Sequence, residues 1–207
     1  CFEYAPMLST QAFRWAPIAR ELARRGHKVT VVAGWEPGAS RREFDQEIEV
    51  YRVGGGITER LRKLHNGSKR SLCSREGTDG LFDWLGSRSL SCLKRIHDLT
   101  WKKIYWPDAY CTWLVPALRC AKEACRRCKT DAVVTVALPF TAHMVGLLLK
   151  DGKSSFRWLC DMSDPFSYLE PMPPNNGRLY DRLNRWAEGR MFERADTEAD
   201  PDLQRSL

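Results

Sequence analysis

The pattern that most constrains this chain is a change of hydrophobic period between residues 12 and 33. From Ala12 to Arg25, the residues Phe13, Pro17, Ile18, Leu22 and Ala23 trace a stripe at helical spacing, and Gly26 stands where a left-handed C-terminal cap belongs. Val29–Ala33 then follows as a continuous apolar, β-branched run, as expected of a strand covered on both faces of a parallel sheet. With Phe2–Tyr4 as the tail of a preceding strand and Ala5–Gln11 as its loop, this is a βαβ unit. Ile48–Val53 supplies a third, shorter strand, and Gly54, Gly55 and Gly56 interrupt the alternation. It resumes with a helix over Trp113–Lys129, a strand over Ala132–Val136, a helix over Thr141–Leu149 and a strand over Phe156–Cys160. A last helix spans about Gly177–Arg194, with Leu179, Leu183, Trp186 and Phe192 at near-helical spacing. Strands that alternate with helices predict an α/β fold, a Rossmann-like doubly wound parallel sheet. The acidic stretch Asp196–Pro201 predicts no further strand.

Composition bounds this reading. The chain has 207 residues and 43% hydrophobic content, enough for one core, so 1–207 is read as a single domain. No window approaches the ~20 apolar residues of a membrane span, and no basic-then-apolar leader opens the chain. A soluble, cytoplasmic protein is expected. The chain starts at Cys1 already inside a strand-like run, which suggests that natural N-terminal residues precede it. Eight cysteines, at positions 1, 73, 92, 111, 120, 125, 128 and 160, sit in apolar or helical surroundings and read as reduced packing residues. Cys125 and Cys128 form a CxxC on one face of the Trp113–Lys129 helix, but no second ligand pair at zinc-knuckle spacing accompanies it, so no metal is expected.

The formal net charge of +7 is concentrated. Residues 57–105 hold 11 lysines and arginines against 5 aspartates and glutamates, together with the aromatics Phe82, Trp84, Trp101 and Tyr105, and Trp106 follows directly. This basic, aromatic, partly helical insertion suits an anionic membrane surface or a lipid-linked substrate, or is simply a solvated excursion; a nucleic-acid partner is not favoured.

Ligands of open α/β sheets bind outside the carboxyl ends of the strands. The loop from Tyr4 to Arg14 enters a helix N-terminus suited to an anion, with Ser9, Thr10 and Arg14 as candidate contacts, although it lacks GxGxxG spacing and Arg14 reads equally as a surface salt-bridge residue. The loop after Ala132–Val136 offers Pro139, Thr141 and His143, the last on the first turn of a helix, where it reads either as a sugar-hydroxyl contact or proton carrier or as a histidine that packs the helix. The loop after Phe156–Cys160 is the most informative, because Asp161, Ser163 and Asp164 leave an apolar strand at the rim. A carboxylate there is placed to accept the proton of a sugar or alcohol hydroxyl, and Asp164 before Pro165 also reads as turn chemistry.

Three segments, in order, resemble one family. "PMLSTQAFRWAPIARELARRGHKVTVVAG" is similar to the opening of family 4 glycosyltransferases, "TDAVVTVALPFTAHMVGLLLK" to their strand, Pro turn and helix, and "RWLCDMSDPF" to their strand ending in a D-x-x-D-P-[WF] turn. The resemblance covers about residues 2–60 and 106–195. It implies the N-terminal half of a GT-B fold and a hexosyltransferase-type enzyme of cell-surface polysaccharide biosynthesis. A sugar would move from a nucleotide-diphosphate donor, without an obligatory metal or other cofactor, to a lipid-linked or surface saccharide acceptor. Asp161, Asp164 and His143 would then be catalytic, and Ser9, Thr10, Arg14, Pro139, Thr141 and Ser163 would bind substrate. The family's C-terminal donor-binding domain is absent from this chain, which is therefore expected to be incomplete for catalysis by itself, peripheral on the inner membrane face and joined to a nucleotide-sugar only through that domain. Leu8, Ser9 and Thr10 occupy the region of the family's paired glycines. The alternative is a non-catalytic half-domain that binds an acceptor or docks on a membrane.

Overall fold

The computed structural model describes residues 1–36, 38–55, 104–150, 154–167 and 174–199. They form an α/β fold of four helices and two three-stranded sheets. Helix α1 (Thr10–Arg24) leads to β1 (Thr30–Gly34), and β2 (Arg42–Asp45) turns back into β3 (Ile48–Val53). A 3-10 turn at Cys111–Trp113 opens α2 (Leu114–Arg127), followed by β4 (Ala132–Val136), α3 (Thr141–Leu149), β5 (Arg157–Asp161), α4 (Gly177–Arg194) and β6 (Thr197–Ala199). The basic insertion lies outside the described residues apart from Ile104 and Tyr105.

The first sheet has the order β1-β3-β2. β1 and β3 pair in parallel from Thr30↔Glu49 to Gly34↔Val53, while β2 pairs antiparallel with β3, so this sheet is mixed. β2 went unforeseen because Arg42, Glu43 and Asp45 give it no apolar alternation, and its turn at Gln46 takes a left-handed φ of 59° without a glycine. The second sheet, β4-β5-β6, is wholly parallel. β6 corrects the expectation that no strand follows the last helix: Asp196 fixes its entry by accepting from the Trp158 amide (2.7 Å) and the Lys150 ammonium (2.6 Å). Phe2–Tyr4 gives its Phe2 carbonyl to the Gly34 amide (2.8 Å) beside β1 without completing a strand.

Packing inverts the expected face of α1. Its buried side is Gln11, Ala12, Ala16, Ala19 and Ala23, whereas Phe13, Ile18 and Leu22 are exposed. The alanine face lets the helix approach the sheet closely over Val31, Ala33, Ile48 and Val50. Gly26 does take the left-handed cap (φ 88°). α3 is apolar all round and buried on nearly every side, as such a helix must be. It lies on Trp158 of β5 so closely that a Cβ at Gly146 would enter the indole ring. Phe140 stacks on Phe166 at 3.8 Å in the same core, and Phe2 meets Trp113 edge-on in a smaller cluster beneath α2 and α3.

Two further expectations are corrected. Cys128 is extended and caps α2 instead of continuing it, so Cys125 packs toward the core while the Cys128 thiol meets Lys28 Nζ at 3.1 Å; the two do not share a helix face. All six described cysteines are free, and no metal-binding group occurs among the described residues. Trp106, read as an anchor of the basic segment, packs on the core and donates to Asn184 (3.0 Å). No helix among the described residues is long and apolar enough to cross a membrane.

Candidate functional site

The carboxyl ends of β4 and β5 open toward the N-terminus of α1. Ser9 caps that helix, its hydroxyl oxygen accepting from the Ala12 amide (3.1 Å), and Thr10 is exposed beside it. The first turn contains no acid, so its remaining amides and dipole leave the rim locally positive.

Asp161 is the last residue of β5 and is almost fully buried. One carboxylate oxygen accepts from the Arg14 guanidinium and from Trp15 Nε1 (2.6 Å), both on α1. Two residues on, the Ser163 hydroxyl accepts from Gln11 Nε2 at 2.8 Å. The loop then ends against α4, where buried Glu188 accepts from the amides of Phe166 (2.6 Å) and Ser167 (3.3 Å) and from the Ser167 hydroxyl. Loop 161–167 is thus fixed to α1 at one end and to α4 at the other. Between the fixed ends, Asp164 and Pro165 are exposed, and Asp164 has no ion pair or hydrogen bond among the described residues.

The loop after β4 contributes shape more than reactive groups. Leu138 takes φ 51°, an unusual conformation for a large side chain, and is 53% exposed at the rim, while Pro139 is buried. Thr141 is fully buried, with its amide (2.8 Å) and hydroxyl (2.7 Å) both donating to Asp108. Asp108 therefore caps α3 from a distant part of the chain, complementing the helix dipole.

His143, in the first turn of α3, is fully buried, with the ring of Phe140 against its own. The Thr135 hydroxyl accepts from Trp158 Nε1 (2.9 Å) and shares a hydrogen bond of 2.8 Å with His143 Nδ1, with Cys160 Sγ 3.8 Å away. The other ring nitrogen, Nε2, is buried without a partner. Burial holds the imidazole neutral, its pKa lowered to about 3.

Of the residues singled out in the sequence, the structure brings Arg14, Asp161 and Ser163 together and leaves Asp164 and Thr10 at the surface nearby. It encloses His143, Thr141 and Pro139 beneath the rim. Gln11, Trp15, Asp108 and Glu188 were missed. Gln11 and Trp15 flank Arg14 on the same two turns, a visible signal, whereas Glu188 sits in an arginine-rich helix where any acid reads as a surface partner. Two polar atoms at the rim, Gln11 Oε1 and Arg14 Nε, are buried without partners. An open hollow at the far end of α1, between Arg20, Glu21, Gln46 and Glu47, is separate from these groups. The chain matches no protein-family model and no curated protein sequence.

Proposed function

We propose that this chain forms the acceptor-side, Rossmann-like half of a GT-B glycosyltransferase of the family 4 type, acting on a nucleotide-diphosphate sugar and a lipid-linked or surface saccharide. The observation that carries this reading is loop 161–167, held at both ends with the Asp164 carboxylate exposed at its apex. A hydroxyl acceptor needs a carboxylate within reach of its proton, and a rigid loop supplies that placement. Asp164 is the group with this freedom. Asp161, already occupied by Arg14 and Trp15, positions the loop, and neutral, enclosed His143 supports the core beneath it. The donor's diphosphate falls to a second domain, as the resemblance implies. A non-catalytic acceptor-binding module is the second reading, and the capture of Asp161 in an ion pair favours it.

Transfer itself is the test. The whole gene product is incubated with radiolabelled nucleotide-diphosphate sugars and membranes bearing polyprenyl-phosphate-linked saccharides. Label passing into the lipid fraction, and falling about 100-fold with Asp164→Asn, is the expected result. Saccharide binding without transfer from any donor would leave the module reading, and neither binding nor transfer would remove both.

A further inference from the structure

The loop between β4 and α3 lifts one apolar side chain out of an otherwise enclosed run. Ala137, Pro139 and Phe140 are buried, whereas Leu138 among them is 53% exposed. A singly exposed leucine is ordinary, but this one takes a left-handed φ of 51°, a conformation that glycine or asparagine adopts with far less strain. Gln46 shares that conformation (φ 59°), and there the tight turn between β2 and β3 calls for it. Leu138 closes no hairpin. It leads from a strand toward a helix, and strained backbone of this kind gathers at sites that hold a ligand.

Two clamps place the side chain. At the base of the rim the Ala137 amide donates to the Asp161 carbonyl (2.8 Å), and farther along the Phe140 ring stacks on Phe166, with 3.8 Å between centroids and 9° between planes. The stretches 137–140 and 161–166 are therefore held side by side at both ends. The exposed residues between the clamps are Leu138 from one stretch and Asp164 and Pro165 from the other. Here the rim joins an apolar surface to a carboxylate that no described residue engages. A pyranose ring matches that combination, since its hydroxyls lie around the edge and its faces carry patches of C–H groups.

We propose that Leu138 is a specificity-determining residue of this rim, its side chain packing against a C–H face of the acceptor sugar beside the hydroxyl that Asp164 receives. The proposal rests on the acceptor-side reading above and adds to it the face by which the sugar is held. Covering the open half of a leucine is worth about a tenfold change in affinity. A side chain fixed by its backbone makes that contact without first having to be ordered.

Saturation-transfer NMR titrations of the whole gene product test it, with methyl glycosides of galactose, glucose, mannose and rhamnose as probes. The native protein is expected to bind at least one of them, with saturation strongest at the C–H protons of one ring face. Leu138→Asn, which suits the backbone but removes the apolar contact, should weaken that binding about tenfold, and Leu138→Met should recover most of it. Leu138→Gly should weaken binding as much while its thermal midpoint stays level or rises, because the left-handed strain is released; a residue needed only for the fold would lower both. In the transfer assay Leu138→Asn should raise the acceptor KM with kcat little changed. The proposal is overturned if the native protein binds none of the glycosides, if Leu138→Asn binds as the native protein does, or if Leu138→Gly melts well below it. Transfer that is indifferent to Leu138 would remove the proposal and keep the glycosyltransferase reading, whereas Leu138-dependent binding without transfer would do the reverse.

Discussion

The two sheets bury opposite charges and neutralise them from different distances. In the first, Arg52 of β3 is fully enclosed, and its partner Glu43 lies on the adjoining strand, donor to acceptor 2.6 Å. In the second, Asp161 of β5 is the enclosed charge, and its partners Arg14 and Trp15 lie on α1, separated from it by most of the chain. Both stitches secure the same segment, since Arg52 also donates to the Ala5 carbonyl at the start of the loop that α1 ends. The first sheet is therefore closed by its own neighbours, whereas the rim of the second is assembled from both halves of the molecule. Damage to the first pair should act on stability, and damage to the second on how the halves meet.

The largest effect expected from this contrast is at Arg52. Arg52→Ala removes a side chain with 0% exposure, leaving a cavity and taking a donor from the Ala5 carbonyl, while Glu43, about one-third exposed, can rehydrate; the loss in urea unfolding should be about 3 kcal/mol. A loss under 1 kcal/mol would show that the first sheet does not rely on its local pair. Next is Asp164→Asn, with turnover about 100-fold lower (~2.7 kcal/mol) at an unchanged thermal midpoint. Normal turnover would return attention to Asp161. For Asp161→Asn itself, Arg14 is one-third exposed and can rehydrate, so a stability loss of about 1–2 kcal/mol is expected. Its sharper signature is faster amide exchange at β5 and the first turns of α1 together, with β1 and β3 unaffected. Uniform acceleration would mean that the halves are not separable in this way.

The smallest effect at neutral pH concerns His143. Its folded pKa, about 3, lies below the ordinary value of 6.5, so the unfolded chain binds the proton more readily. Its contribution is fully present above pH ~6.5 and declines as the pH falls toward 3, by at most about 1.4 kcal/mol per unit. His143→Leu should flatten that slope between pH 6.5 and 3, as read from denaturant midpoints, and an unchanged slope would place the titration elsewhere.

These contrasts were only partly legible in the sequence. β1, β3, β4 and β5 emerged within a residue or so because fully covered parallel strands read as continuous apolar runs, and α3 emerged because it is apolar throughout. The faces of α1 and α4 did not. In both helices the large residues at helical spacing, Phe13, Ile18 and Leu22 or Leu179, Leu183 and Trp186, turn outward, and small or polar ones face the interior. A periodicity argument identifies an apolar stripe but not whether a small-residue stripe beside it packs more closely. The rim resisted for a related reason: the Asp161 pairing spans 147 positions, and spacing within one loop cannot foretell a partner on another.

Glu188 has a consequence of another kind. By holding the Phe166 and Ser167 amides from the middle of a long helix, it settles the conformation of the Asp164–Pro165 apex when the protein folds. Most of the ordering entropy of that loop is then lost before any ligand arrives, and a bound molecule need not offset it again. Binding at the apex should show little change in loop dynamics between free and occupied protein, and its strength should be set by contact chemistry and not by the freezing of a segment. Glu188→Gln, which keeps the shape but weakens the grip on those amides, would return that entropy to the binding step and appear first as faster ligand release.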